Sequence, residues 1–228
     1  MKFSTTAALA CLSGLVAGAP AATNPWNAPH LQKIFDGTTL TGWTQSKPGD
    51  WSVTDGAIHL NGKERGWIKY NQTVGDFRWI FKVRNAATAA GADHWPAVLF
   101  WGEAPAGDAL DAIQFQPPVG YAWDYRPGHF GDYKAAKGSP GRFDKAQWSL
   151  CEIVADDKTG AASMACCQLA GTGTGTCATK QVVTSVDKTA GRVGPFALQA
   201  HNAGIQDEYK DIYLESPMVT KPGQFITA

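Results

Sequence analysis

Between residues 51 and 215 the apolar residues recur at every second position in short runs, and no window of helix length carries an apolar stripe. A period of two is the signature of strands with one buried face. The runs are Trp51-Ser52-Val53, 57–60, 67–70, 77–83, 97–101, 113–116, 150–155, 163–169, 181–186, 196–201 and 210–215, many of them rich in β-branched or aromatic residues. Turn signals separate them, among them Lys47-Pro48-Gly49-Asp50, Asp55-Gly56, Asn61-Gly62, the segment 156–160 and the Gly-Thr repeat 171–175. Short strands at this spacing predict an all-β chain of at least ten strands in a two-sheet sandwich or a barrel. Asp55-Gly56 predicts a tight hairpin, because a type I′ turn needs positive φ at both central residues. Segments 150–155 and 163–169 predict a second one. Phe77, Trp79, Phe81 and Val83 alternate with Arg78, Ile80 and Lys82, which puts one face of that strand in the core.

The first 21 residues read as a secretory signal peptide: Lys2, an apolar run from 7 to 16, then Ala17-Gly18-Ala19-Pro20-Ala21. The run is about half the ~20 residues a membrane span needs. This predicts an exported protein, with residues 22–228 as one domain. The whole chain is 44% hydrophobic and 18% charged, and the roughly 205 residues after the leader suit a single core. The formal net charge is zero, so no basic patch argues for nucleic acid or an anionic membrane as partner, and the expected state is a monomer.

Losing the signal removes Cys11 and leaves Cys151, Cys166, Cys167 and Cys177, an even number suited to two disulfides in an oxidising compartment. A bond between adjacent Cys166 and Cys167 needs a strained ring, so Cys151 takes one of them and Cys177 the other. Counting back from the 156–160 turn sets Cys151 opposite Ala165 or Cys166, which favours Cys151 with Cys166 and Cys167 with Cys177. Asn71-Gln72-Thr73 is an N-glycosylation sequon.

The segment 93–133 is unlike the rest. It holds His94, His129, Trp95, Trp101, Trp123 and Tyr125 together with Asp93, Glu103, Asp111, Asp124 and Arg126. Aromatic faces with convergent polar groups are what a sugar site requires. The competing reading makes these rings ordinary core.

The order of several short motifs resembles the 3-keto-disaccharide hydrolase family, whose members are described as 3-keto-glucoside 1,2-lyases and 3-keto-2-hydroxy-glucal hydratases. The motifs are Phe35-Asp36-Gly37 with Leu40, Gly42-Trp43, Trp51, Val53, Asp55-Gly56, Ile58, Gly66-Trp67, Gly75-Asp76-Phe77, Gly191-Arg192-Val193-Gly194, Leu198-Gln199-Ala200-His201 and Tyr209-Lys210-Asp211-Ile212. The resemblance covers residues 35–214 and implies a concanavalin A-like jelly-roll sandwich of two antiparallel sheets, a secreted fungal-type member, and an oxidised sugar as substrate. Two departures are visible. A Glu-x-Gln-Ile motif aligned on Gln114 puts its glutamate at Ala112, and a G-N-S-G segment is replaced by Gly91-Ala92-Asp93-His94-Trp95-Pro96. Asp111 is the neighbouring carboxylate, and it reaches the same face only through a bulge. His201, Gln114 and Trp148 match the family.

The chemistry implied by the resemblance needs a base for the proton on C2, a donor for the enolate oxygen on C3 and an acid at the glycosidic oxygen. His201, His94 and Asp111 are the candidate catalytic groups. Gln114, Trp95, Trp101, Trp123, Tyr125, Arg126, His129 and Lys134 are the candidate substrate contacts, with Arg126, Tyr133 or Lys134 at the enolate. His201 and Gln114 are expected to share one sheet face, with His94, Trp95 and Trp101 as a wall and the segment 121–134 as a closing loop. This chemistry requires no cofactor. A divalent metal is a separate candidate, since His94, Asp93, Asp111 and His129 are suitable ligand types, but no compact spacing assigns a ligand set. Three function classes follow: an enzyme on 3-keto-glycosides, a non-catalytic lectin and a structural surface protein. A two-carboxylate glycosidase is disfavoured because no motif pairs an acid with a nucleophile.

Overall fold

The computed structural model describes residues 28–88, 94–103, 111–129, 140–187 and 192–228. Residues 1–21, expected to be a leader, and Asp93, Tyr133 and Lys134 lie outside the described residues. Fourteen strands form among those described: β1 (Gln32–Lys33), β2 (Trp43–Gln45), β3 (Trp51–Thr54), β4 (Ala57–Leu60), β5 (Gly66–Tyr70), β6 (Phe77–Thr88), β7 (Ala97–Glu103), β8 (Asp111–Gln116), β9 (Tyr121–Asp124), β10 (Ser149–Asp156), β11 (Ala161–Gln168), β12 (Lys180–Val186), β13 (Ala197–Ala200) and β14 (Ile205–Glu215). The one helical piece among these residues is the 3-10 turn Pro140–Arg142. One sheet runs β12-β11-β10-β6-β14-β4-β3 with β1 beside β14, and the other runs β2-β5-β13-β7-β8-β9. Both are antiparallel throughout, so the expected two-sheet sandwich is what forms.

The alternation read from β6 sets the core. Phe77, Trp79 and Phe81 point at the second sheet and are fully buried there. Trp79 lies 4.4 Å from Phe196 and Phe77 5.7 Å from Phe100 between ring centroids, the latter in an edge-on geometry that aromatic quadrupoles favour. Each such ring, removed from water, contributes on the order of 1.5 to 3 kcal/mol. The Asp55-Gly56 hairpin also forms as expected, with φ of 50° and 76°.

The opposite face of β6 is buried too, which the alternation does not reveal. Arg78 is fully buried beside Glu152 of β10 and Glu215 of β14, because the C-terminal segment crosses over it. Arg78 donates to the carbonyl oxygens of Thr220, Lys221 and Gln224, while Glu152 accepts from the backbone N–H groups of Ile226 and Thr227. One charged side chain thus ties the tail to the sheet.

The second hairpin aligns Cys151 with Cys166, and the disulfides are Cys151–Cys166 and Cys167–Cys177. They close loops with sequence separations of 15 and 10. In the chain-entropy picture each stabilises by about 2 to 4 kcal/mol. Reduction is therefore expected to lower the melting temperature by on the order of 10 °C in total for a chain of this length. Scanning calorimetry with and without reductant checks this, and an unchanged transition in fully reduced protein would contradict it.

Three strands were not legible as strands: β1, β2 and β9. The segment 121–124 reads as part of a loop because Pro117-Pro118-Val119-Gly120 precedes it and Tyr, Trp and Asp fill it. In the structure these four residues pair with β8 as the edge of the second sheet. Gly120 makes the connection: its N–H donates to Gln116 at 2.9 Å and its φ is 84°. A Cβ there would sit 2.4 Å from the Val182 carbonyl oxygen, so only glycine fits.

Candidate functional site

The site is built on the outer face of the second sheet, the face turned away from the core. In β8, Ile113 and Phe115 enter the core, which sends Ala112, Gln114 and Gln116 outward. Pairing with β9 sets Gln116 across from Tyr121 and Gln114 across from Trp123, so those rings stand beside the two amides. Leu198 and Ala200 of β13 go inward, which sends Gln199 and then His201 outward. The result is a cleft of about 510 Å³ lined by His94, Trp95, Gln114, Gln116, Tyr121, Trp123, Tyr125 and His201. That volume falls within the range of small-ligand sites.

Two imidazoles lie at its centre. The rings of His94 and His201 are stacked, 3.8 Å between centroids and 17° from parallel. Gln116 Nε2 donates to His94 Nε2 at 2.7 Å, so the His94 proton resides on Nδ1. Burial pushes His201 below the ordinary imidazole value, and the positive charge of Arg65 pushes it further in the same direction, against a hydrogen bond to the Asn202 side chain. Two stacked rings also resist holding two protons at once. His201 is thereby neutral at neutral pH, the form that accepts a proton. Burial raises the Tyr125 phenol, and Arg65 opposes that shift, so one cation is felt by both residues.

Gln114 is 1% exposed, and its Oε1 has no hydrogen-bond partner among the described residues. His201 Nδ1 is in the same condition. Buried polar atoms without partners are costly, and a hydroxyl-rich ligand would satisfy them.

The structure brings together His201, His94, Gln114, Trp95, Trp123 and Tyr125 as expected of one site, and adds Gln116 and Tyr121. Four candidates are placed elsewhere. Trp101 is 1% exposed in the core, where its Nε1 donates to the Gly75 carbonyl oxygen at 2.7 Å. Simple alternation would have sent it outward with Ala97 and Leu99. A bulge after Phe100, with Trp101 at φ 55°, turns the ring inward instead. Arg126 is committed to Asp124 through two bonds of 3.0 and 2.7 Å and to Asp187 at 3.0 Å, an ion cluster that holds the end of β9 rather than a ligand. Asp111 belongs to the alternate face of β8 and does not line the cleft, and the bulge that would redirect it lies in β7. His129 also lies off the cleft, its backbone N–H donating to the Arg126 carbonyl oxygen at 3.0 Å.

Trp148 matches the family pattern and Ala112 departs from it. Trp148 lies on the other sheet, with the Arg84 guanidinium 4.7 Å and the Lys210 ammonium 4.2 Å from its ring, away from the cleft. Ala112 is fully buried in an apolar patch with Trp67, Leu99 and Ala197. A Cβ on Gly102 would come within 2.4 Å of its methyl group, which shows how closely β7 covers this position. No group of three or more His, Cys, Asp or Glu side chains suited to a metal occurs among the described residues.

A two-sheet antiparallel sandwich with an aromatic-walled cleft on one outer face places the protein among concanavalin A-like β-sandwiches. Solved structures agree at the level of fold. A protein from Parabacteroides distasonis named as a glycosyl hydrolase has a TM-score of 0.55 at 12% identity, covering 82% of this chain and 98% of that one. The carbohydrate-binding module CBM66 from Bacillus subtilis has a TM-score of 0.51 at 13% identity, covering 77% and 96%. The Griffonia simplicifolia lectin I-B4 has a TM-score of 0.51 at 10% identity, covering 78% and 94%. More specifically, the chain belongs to the 3-keto-alpha-glucoside-1,2-lyase-like domain family, whose model matches residues 30–215. No curated protein matches significantly.

Proposed function

We propose that this protein acts on 3-keto-glycosides by elimination followed by hydration, with His201 as the base. The observation that carries the reading is the stacked His94–His201 pair at the centre of the cleft, with His201 held neutral. A carbonyl at C3 acidifies the C2 proton. His201 takes that proton, the C2–H electron pair becomes the C2=C3 bond of an enolate, and the carbonyl pair moves to the C3 oxygen. When the carbonyl re-forms, C1=C2 forms and the C1–O bond breaks, the leaving oxygen taking a proton from the protonated His201. Water then adds across C1=C2, hydroxyl to C1 and proton to C2. The net reaction is hydrolysis, and it needs no second carboxylate.

Gln114 and Gln116 supply hydrogen bonds to ring hydroxyls, and Trp95, Tyr121, Trp123 and Tyr125 supply apolar faces. The leader-like residues 1–21 and the two disulfides support export, and exposed Asn71 is accessible to a glycan. A lectin is the second reading. It is favoured by Ala112 at the position of the family glutamate, and by the lectin I-B4 and CBM66 folds.

Purified protein incubated with 3-keto-trehalose, or with a chromogenic 3-keto-glucoside, separates the two readings. The elimination reading predicts release of the aglycone. It also predicts that kcat/KM falls on the acid side with an apparent pKa below the 6.5 of an ordinary imidazole, because the base must be unprotonated and its value is depressed. Saturable binding without release would favour the lectin.

A further inference from the structure

Elimination through an enolate is helped by a cationic donor at the C3 oxygen, and among the described residues Arg126, the cation marked by the sequence, is committed elsewhere. Arg126 is held by two carboxylates. Lys134 lies outside the described residues. The register of the second sheet supplies another cation. Ala200 of β13 pairs with Gly66 of β5, so the next residues along, His201 and Arg65, face each other across the end of the ladder. The flanking turns are pinned together, the Gly204 N–H donating to the Gly62 carbonyl oxygen at 2.9 Å. A Cβ on Gly62 would sit 2.9 Å from the Ile205 carbonyl oxygen, so this approach is close. Neighbouring Glu64 pairs with Lys47 at 2.5 Å, and Arg65 is exposed with no ion pair among the described residues.

We propose that Arg65 is the cation that meets the C3 oxygen of the substrate and holds its negative charge while His201 removes the C2 proton. The proposal rests on the elimination reading above. A guanidinium keeps its proton at any working pH, so it stabilises charge without entering the proton transfers. The register sets Arg65 opposite His201 at the rim of the cleft, and its charge acts on both His201 and Tyr125, which line the cleft from the ends of two different strands. The same placement gives it a second effect. By disfavouring the imidazolium, Arg65 keeps the base unprotonated to lower pH. The groups facing His201 are the stacked His94, the Asn202 side chain, Arg65 and, across the cleft, Tyr125.

The test is Arg65→Gln in the full chain, with Arg65→Lys beside it. Arg65→Gln should lower kcat on a 3-keto-glucoside by on the order of 100-fold, the scale for losing one donor to a developing oxyanion. The acid limb of kcat/KM and the His201 titration followed by NMR should both move to higher pH, because a repelling charge has gone. Arg65→Lys should restore the titration and part of the rate. If wild-type protein releases aglycone and Arg65→Gln does so equally fast with the same pH profile, the proposal is wrong and the elimination reading stands. An unchanged His201 titration in Arg65→Gln contradicts the placement of Arg65, whatever the substrate. No release by wild-type protein overturns the elimination reading and this proposal with it.

Discussion

His201→Ala is expected to lose on the order of 100-fold or more in turnover of a 3-keto-glycoside while keeping its fold, the usual scale for removing a general base. The side chain projects from the end of β13 onto the outer sheet face, so its loss leaves the core between the sheets intact. The far-ultraviolet circular dichroism spectrum should be that of wild type and the melting temperature close to it. His201→Asn keeps a hydrogen-bonding side chain and removes only the titrating nitrogen, and should be nearly as inactive. In a lectin the same changes would weaken binding modestly, while Trp123→Ala, which removes a ring from the wall, would dominate. A His201→Ala protein with wild-type kcat would remove this residue from the chemistry.

Arg78→Met should produce the largest loss of stability. The guanidinium neutralises Glu152 and Glu215, all three side chains are fully out of water, and its remaining N–H groups hold the C-terminal segment through backbone carbonyls. Removing one partner strands two buried carboxylates, a change that costs about 3 to 5 kcal/mol. For a chain of this size that is a fall of on the order of 10 °C in melting temperature, and the tail should become sensitive to protease. Adding Glu152→Gln and Glu215→Gln removes the uncompensated charge and should recover part of the loss. A melting temperature within a degree of wild type for Arg78→Met would contradict this account of the cluster.

The division between what the sequence discloses and what it hides follows from the physics of each position. Alternation discloses which side of Ile113-Gln114-Phe115-Gln116 faces the core, because each residue points opposite to its neighbour. The second hairpin discloses the disulfides, because its turn fixes the register that opposes Cys151 to Cys166. Trp101 defeats the same rule, since a single residue at positive φ reverses the face and nothing in Phe100-Trp101-Gly102 demands it. The burial of Arg78 is set by residues more than a hundred positions away, and strand periodicity is blind to that. Arg65 is hidden for a related reason: only the pairing of β5 with β13 brings it to His201, and no spacing between residues 65 and 201 encodes that pairing. Tyr121 and Gln116 were within reach, because a hairpin drawn through Val119-Gly120 would have set them side by side.

The central claim is that the glycosidic bond breaks through loss of the C2 proton and not by direct attack at C1. Cleavage of a 3-keto-glucoside in deuterated water, with the released 3-keto-glucose analysed by mass spectrometry at early times, tests it directly, using enzyme-free 3-keto-glucose as the control for spontaneous exchange. Elimination and hydration predict a carbon-bound deuterium at C2 in the product of each turnover, beyond the control. Product released with its original C2 proton would show that the bond is broken by another route.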